Sequence, residues 1–420
     1  MEAQTMAKFI PTHLAHNTPG AGIRDNDSHV DMVRMRTYRM NRVQAQLKSL
    51  DYSACILFDP INIRYTTGAR NMMIWKMHSL GRYAFVPAEG TAVIFDSPSS
   101  LHLNNGLETV GESRPSKGMG YIYTGDAREE KTRDWAEEMA ELVEKHCGGN
   151  RRIACDRIDF SAASALAAHQ IELFDGTEPM ELARLIKSPD EIACMNMAIS
   201  VCETGMADMR EALKPGMTEN EVWSILHQVN IAMGGEWIET RCLASGGRTN
   251  PWLQECSDRV IRAGEMLAFD TDLIGPHGYM ADISRTYYCG FNRPSDEQRR
   301  LYSLSYEQLQ HDIELLKPGM SFREYGEKAW PIPDEFVVQR YGCVAHGVGM
   351  CDEYPVIGYP TGLGIASVDG EFKPDMTVCV ESYVGAVGGA EGVKLEQQVL
   401  ITEEGTHILS TFPFEDILLN

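Results

Sequence analysis

From about residue 31 the apolar positions Met32, Val33, Met35, Met40, Val43 and Leu47 recur at helical spacing, which predicts an amphipathic helix. Ala54-Cys-Ile-Leu-Phe58 is then an unbroken apolar run closed by Asp59-Pro60, the pattern of a buried strand. Tyr83–Val86 and Ala92–Phe95 repeat that pattern on either side of a Pro-Ala-Glu-Gly turn. Asp134–His146 returns to helical spacing, and Arg152–Cys155 reads as another strand. Together they predict an α/β domain over residues 31–180. A polar stretch with Gly, Pro and Asn, residues 1–30, reads as an N-terminal arm.

The pattern changes near Arg184. Ser188 followed by Pro189 and Glu191 supplies an N-cap, a proline at the first helical position and a capping-box acid, so a long helix is expected to run to about Ala212. The domain boundary is set at about residue 180, with a second domain over 181–420. That domain holds an internal repeat. Leu213-Lys-Pro-Gly-Met217 recurs 103 residues later as Leu316-Lys-Pro-Gly-Met320, each copy between helical stretches. Downstream, Leu267-Ala-Phe leads to Asp270 and Val378-Cys-Val leads to Glu381, acids 111 residues apart. A common helix C-terminal turn would explain one match. Two in compatible register predict a duplicated α+β half, with a site at the shared interface.

The 420 residues suit two or three domains, and 43% apolar with 23% charged content is that of a folded protein rather than a disordered one. The formal charge of −22 opposes a nucleic-acid partner and an anionic membrane surface. No run of about 18 apolar residues predicts a transmembrane helix. The N-terminus lacks the basic and apolar regions of a secretory signal. The 11 cysteines, odd in number and without a C-x-x-C pair, read as buried thiols of a cytoplasmic protein.

Most of the acids fit a solvated surface; a few do not. In Met266-Leu-Ala-Phe-Asp270-Thr-Asp272-Leu-Ile the strand period puts Asp270 and Asp272 on one face. Two carboxylates about 7 Å apart in an apolar strand repel one another and cost desolvation energy, which a cation between them removes. Asp-x-Asp alone equally fits a strand end emerging into solvent. Asp282, Glu381 and Glu396 share the apolar setting, and His346 opens the small-residue segment His346-Gly-Val-Gly349. Five carboxylates and one imidazole suit a pair of divalent metals.

In this order the residues resemble the dinuclear site of the creatinase/aminopeptidase P superfamily, whose fold is a creatinase-like N-terminal α/β domain and a duplicated C-terminal pita-bread domain. The resemblance implies metal ligands at Asp270, Asp272, Asp282, His346, Glu381 and Glu396. Peptidases of the superfamily usually carry His-Gly-x-Gly-x-x-x-His-Glu-x-Pro. Here the segment is one residue shorter and Asp352 stands where the second His would. The region Ala244-Ser-Gly-Gly-Arg-Thr-Asn-Pro-Trp252 also lacks the His that peptidases place before the first Asp. Gly234-Gly-Glu-Trp-Ile-Glu-Thr-Arg241, Tyr341-Gly-Cys and Met350-Cys-Asp352-Glu-Tyr-Pro355 are instead similar to one branch, the dimethylsulfoniopropionate lyases of the DddP type. Phe58-Asp-Pro-Ile-Asn-Ile-Arg-Tyr65 and Asn71-Met-Met-Ile-Trp75 resemble it too.

That resemblance implies cleavage of a zwitterionic sulfonium carboxylate, dimethylsulfoniopropionate, to dimethyl sulfide and acrylate. β-Elimination needs a base for the proton α to the carboxylate, and Asp352 stands in position to be it. The sulfonium needs an aromatic wall; Tyr341, Trp75, Trp252 and Tyr354 are the candidates. The resemblance further implies two divalent ions, with iron the family's choice and manganese, cobalt or zinc compatible with the ligands. It also implies a homodimer in which Asn71–His78 covers the partner's site. Two other readings stay open at this point: a dinuclear hydrolase of an amidino or Xaa-Pro substrate, and a non-enzymatic binding module.

Overall fold

The structure, a computed structural model, describes residues 30–360 and 369–419. Of the arm expected over residues 1–30, all but Val30 lies outside them. The described chain forms two units, Asp31–Asp190 and Glu191 onward. Helix Thr177–Arg184, where the sequence-based boundary falls, belongs to the first.

In the first unit, the Asp31 side chain accepts the Arg34 N–H and starts helix Met32–Ser49, which buries Met35, Met40, Val43 and Leu47. Strands β1 (Ala54–Leu57), β2 (Tyr83–Pro87), β3 (Ala92–Asp96), β4 (Val110–Pro115), β5 (Arg152–Cys155) and β6 (Glu172–Asp175) form one mixed sheet in the order β4-β3-β2-β1-β5-β6. All residues of β1, β2 and β3 are buried, which is why those segments read as continuous apolar runs rather than alternating ones. Tyr83 stacks on Phe95 with centroids 4.5 Å apart, and Trp135 closes this core from helix Arg128–His146. That helix begins six residues before the apolar spacing does. Its first turn is polar, with Glu129 and Glu130 at the positive end of the helix dipole.

The second unit starts with helix Pro189–Ala212. Its strands are β7 (Trp237–Ile238), β8 (Leu243–Ser245), β9 (Glu265–Phe269), β10 (Leu273–Ile274), β11 (Met280–Ala281), β12 (Arg285–Cys289), β13 (Ala345–Val348), β14 (Asp352–Ile357), β15 (Thr377–Val384), β16 (Val393–Thr402) and β17 (Gly405–Ile408). They make three sheets, ordered β12-β9-β8, β11-β10-β7 and β14-β13-β15-β16-β17. Side chains tie the first to the third: Thr286 Oγ1 donates to the Lys394 carbonyl and accepts from its N–H, and Arg285 donates to the Glu396 carbonyl.

The sequence repeat is also a structural one. Gly216 and Gly319 both take positive φ, 99° and 83°, the left-handed conformation that glycine adopts without strain. Gly216 N–H donates to Ile261 O, and Ile261 N–H returns a bond to Met217 O. Gly319 and Met320 make the same pair of bonds with Phe372. Among the described residues no helix is long and apolar enough to cross a membrane.

Candidate metal centre and adjoining pocket

Five chain segments converge in the second unit. β9 stops at Phe269, and Asp270 follows, its N–H bonded to Cys242 O. The sequence reading, one continuous strand carrying Asp270 and Asp272 on one face, is corrected here. Asp272 has φ 36°, so the backbone turns between the two acids. Both still reach one site, because Thr271 Oγ1 donates to Ala281 O and accepts from Ile283 N–H, pinning this corner beside Asp282. The third sheet supplies the rest. His346 lies on β13 and Glu381 within β15, which runs on to Val384 rather than ending at the acid. Glu396 on β16 pairs directly opposite Glu381. Gly347 is required by close approach: a Cβ there would lie 2.4 Å from the backbone oxygen of Tyr354.

All six expected ligands are brought together, none more than 9% exposed. Ligand atoms of Asp270, Asp272 and Asp282 lie within 4.8 Å of one another, as do those of Asp270, Glu381 and Glu396. A further group within the same limit joins Asp282, His346 and Glu396 to Cys379. His346 Nε2 is 3.6 Å from oxygens of Asp282, Glu381 and Glu396. Its Nδ1 lies 3.1 Å from Gly347 O, the second contact that fixes a ligating imidazole's tautomer.

Such a cluster is costly unless cations compensate it. Glutamates directly opposite on a buried antiparallel pair repel. Burial raises the Asp270 and Asp282 carboxyls well above the usual carboxylate range, and the Glu396 charge adds to the rise. Burial also pushes Asp272 up to about 6, against a hydrogen bond from Thr240. Burial pulls the His346 imidazole down, but the nearby Glu381 and Glu396 carboxylates outweigh it and hold it well above its ordinary value. Asp270 Oδ1, Asp282 Oδ1 and Glu396 Oε1 are buried without a hydrogen-bond partner. Orphaned carboxylate oxygens converging at ligand spacing fit a divalent metal.

Sequence reasoning missed Lys394. Its Nζ lies 2.5 Å from Glu381 Oε2 and 3.2 Å from both Asp270 Oδ2 and Glu396 Oε2. Burial lowers this ammonium, and the three carboxylates reverse the effect and hold it well above its ordinary value. The signal was available: Lys394 stands two residues before Glu396 on one strand, hence on the same face. Cys379, two before Glu381, was missed for the same reason.

A cavity of about 440 Å³ adjoins the cluster, lined by Trp252, Tyr341, Cys343, His346, Asp352 and Val356 among others. Asp352 opens β14, with Oδ1 3.5 Å from His346 Nδ1 and its side chain 59% exposed. Surrounding protein desolvates and raises this carboxyl, His346 opposes the rise, and Glu396 and Glu353 add to it. At this exposure solvent screening keeps the shift modest. Tyr341 and Trp252 face Lys394 Nζ with centroids at 5.1 and 6.0 Å. The other two aromatics are placed differently. Tyr354 donates its hydroxyl to Asp369 O and meets Phe322 edge-on. Trp75 belongs to the first unit, on helix Met73–Met77, and is 47% exposed.

Comparison with known proteins agrees with this geometry. The profile of metallopeptidase family M24 matches residues 193–403, and that of the creatinase/prolidase N-terminal domain matches residues 39–186. A dimethylsulfoniopropionate lyase DddP from Roseovarius nubinhibens is 42% identical over 93% of this chain and 88% of its own. One from Roseobacter denitrificans is 38% identical over the same shares. The solved Xaa-Pro dipeptidase from Bacillus anthracis superposes with a TM-score of 0.72, covering 90% of this chain and 99% of its own. At 20% identity that likeness is one of fold. The M24 match and the clustered carboxylates together make this a divalent-metal-binding protein. The chain belongs to metallopeptidase family M24 and, within it, to the family of the dimethylsulfoniopropionate lyases DddP.

Proposed function

We propose that this protein is a metal-dependent carbon–sulfur lyase that cleaves dimethylsulfoniopropionate to dimethyl sulfide and acrylate. The observation that carries the reading is Asp352: a carboxylate stands beside the acid cluster, open to a cavity with aromatic walls, where peptidases of the superfamily place a histidine. The cavity lies within the roughly 300–1,000 Å³ of small-molecule sites. The 42% identity to a lyase over most of the chain supports the same substrate.

Asp352 takes the proton from the carbon α to the substrate carboxylate. The C–H electron pair becomes the C=C bond of acrylate, and the Cβ–S bond breaks with its pair leaving on dimethyl sulfide. A divalent ion held at the cluster would supply positive charge to stabilise the substrate carboxylate as the α-carbon loses its proton. Asp270, Asp272, Asp282, His346, Glu381 and Glu396 would hold that metal. Tyr341 and Trp252 hold the sulfonium from the cavity side, a role supported by both rings lining the cavity beside Asp352. A carboxylate base suffices because the leaving group is neutral once expelled and needs no protonation.

The test is headspace gas chromatography of dimethyl sulfide from metal-loaded protein and dimethylsulfoniopropionate. No release above an Asp352→Ala control would sink the proposal. We also read the six ligands as holding two ions, iron by family resemblance, which elemental analysis of protein purified without added metal checks. A homodimer is part of the reading, supported by exposed Met72, Ile74 and Trp75, and light scattering decides it. Eleven free thiols support a cytoplasmic setting.

A further inference from the structure

Glu219 has no part in the chemistry above, yet it is completely buried, at the first residue of helix Glu219–Ala232. A carboxylate is tolerated in such a place only when paired and hydrogen-bonded. This one divides its two oxygens between the two ends of a single loop. Oε1 accepts from the N–H and the hydroxyl of Ser245 at 2.9 and 2.8 Å. Oε2 accepts from the N–H and the hydroxyl of Ser257 at 3.0 and 2.7 Å, and from Arg248 between them. The loop so tied carries Pro251, Trp252 and Leu253, which line the cavity beside Asp352. Its far side is held by Asn250, whose Nδ2 donates to Ala386 O and Gly389 O at 2.8 and 3.0 Å. Leu253 has φ 71°, a left-handed conformation that a side chain adopts only where the surroundings over-determine it.

We propose that Glu219 is a positioning residue for substrate: its carboxylate clamps both ends of the 245–257 loop and thereby fixes the Trp252 ring as the wall that meets the sulfonium. The inference rests on the reading of Trp252 as that wall and deepens it. A carboxylate offers two acceptor oxygens and an amide only one. Glu219→Gln therefore keeps the volume, releases one end of the loop and removes the charge that Arg248 pairs with. With one anchor gone, the turn at Leu253 relaxes and carries the neighbouring ring with it. A cation–π contact needs the cation within about 6 Å of the ring centroid, so the loss falls on the cationic end of the ligand. The carboxylate end and the proton transfer at Asp352 depend on other elements, the acid cluster and β14.

The experiment is titration calorimetry of the metal-loaded full chain with two carboxylates of one shape. One is 3-(trimethylammonio)propanoate, with a cationic head; the other is 4,4-dimethylpentanoate, whose head is neutral. The ratio of their dissociation constants reports the cation wall and does not depend on the fraction of protein that is folded. Trp252→Leu should lower the wild-type preference for the cationic ligand by about tenfold, and Glu219→Gln by about fivefold. The double variant should match Trp252→Leu, because both changes remove one contact. In lyase assays Glu219→Gln should raise KM for dimethylsulfoniopropionate by about fivefold and change kcat by less than about twofold. Should Glu219→Gln fail to fold, Ser257→Ala deletes a single hydrogen bond of the clamp and should lower the preference by about twofold. An unchanged preference in the clamp variant, with Trp252→Leu still losing its own, overturns the positioning role and leaves the cation wall standing. An unchanged preference in Trp252→Leu overturns the wall reading itself, and the Glu219 role with it.

Discussion

Replacing Lys394 with Met tests whether an ammonium is built into the acid cluster. The side chain is fully buried, and Nζ touches Glu381, Glu396 and Asp270 at 2.5–3.2 Å while also donating to Ser284 Oγ at 2.7 Å. Met keeps most of the volume and removes the charge. Breaking a buried ion pair by deleting one partner costs about 3–5 kcal/mol, because the remaining charge is left uncompensated. For a unit of this size each kcal/mol moves the melting temperature by about 2–4 °C, so the metal-free variant should melt about 6–20 °C below the metal-free wild type. Divalent metal narrows that gap. Five carboxylates and one ammonium sum to −4, which two divalent ions neutralise; without the ammonium the ions meet −5 and stabilise the variant by more. Calorimetry of both proteins, in chelator and with added metal, reads the two effects directly. A metal-free Lys394→Met protein melting within about 2 °C of wild type would show that the ammonium does not compensate the carboxylates, and the electrostatic account of the centre would fail.

Asp352→Asn should lower kcat/KM for dimethylsulfoniopropionate by about 10²–10⁴-fold with metal content unchanged, since Asp352 is read as a base and not a ligand; a loss under tenfold would place the base elsewhere. Tyr341→Leu should raise KM by about tenfold or more, the worth of a desolvated cation–π contact, while Tyr341→Phe should stay near wild type, as steady-state kinetics will show. Asp312 is buried away from these ligands, and desolvation pushes it up to about 6, against hydrogen bonds from His311 and from Trp330 N–H. A raised carboxyl stabilises the fold below its unfolded value of 3.8 and loses that contribution as pH rises through about 6. Stability profiles from pH 4 to 7 should therefore diverge, Asp312→Asn gaining about 3 kcal/mol relative to wild type; parallel profiles would count against the buried-acid account.

Several features were legible because they are local. The β1, β2 and β3 segments declare themselves as apolar runs, since a strand covered on both faces has no polar side to show. Helix Pro189–Ala212 starts at the proline that marks a first helical position, and the twin Leu-Lys-Pro-Gly-Met turns follow from glycine's access to positive φ. The five clustered acids could be picked out because acids embedded in apolar strands are costly, and their order with His346 resembles a known site.

Geometry and partnership were not legible. Asp270 and Asp272 were expected to share a face through strand periodicity; they meet instead because the backbone turns at Asp272 and Thr271 anchors the corner. Lys394 and Cys379 read as ordinary strand residues until β16 and β15 are placed beside the Asp270 and Asp282 corner. Tyr354, equal to Tyr341 and Trp252 as an aromatic in the sequence, is set apart from them by what it packs against. Sequence by itself determined which residues are too expensive to bury without a purpose, because hydropathy and turn chemistry act over a few neighbours. Only the tertiary structure decided which of those charges meet. Glu396 and Asp282 converge across 114 residues of chain through sheet register and interlocking side chains, and periodicity carries no information over that distance.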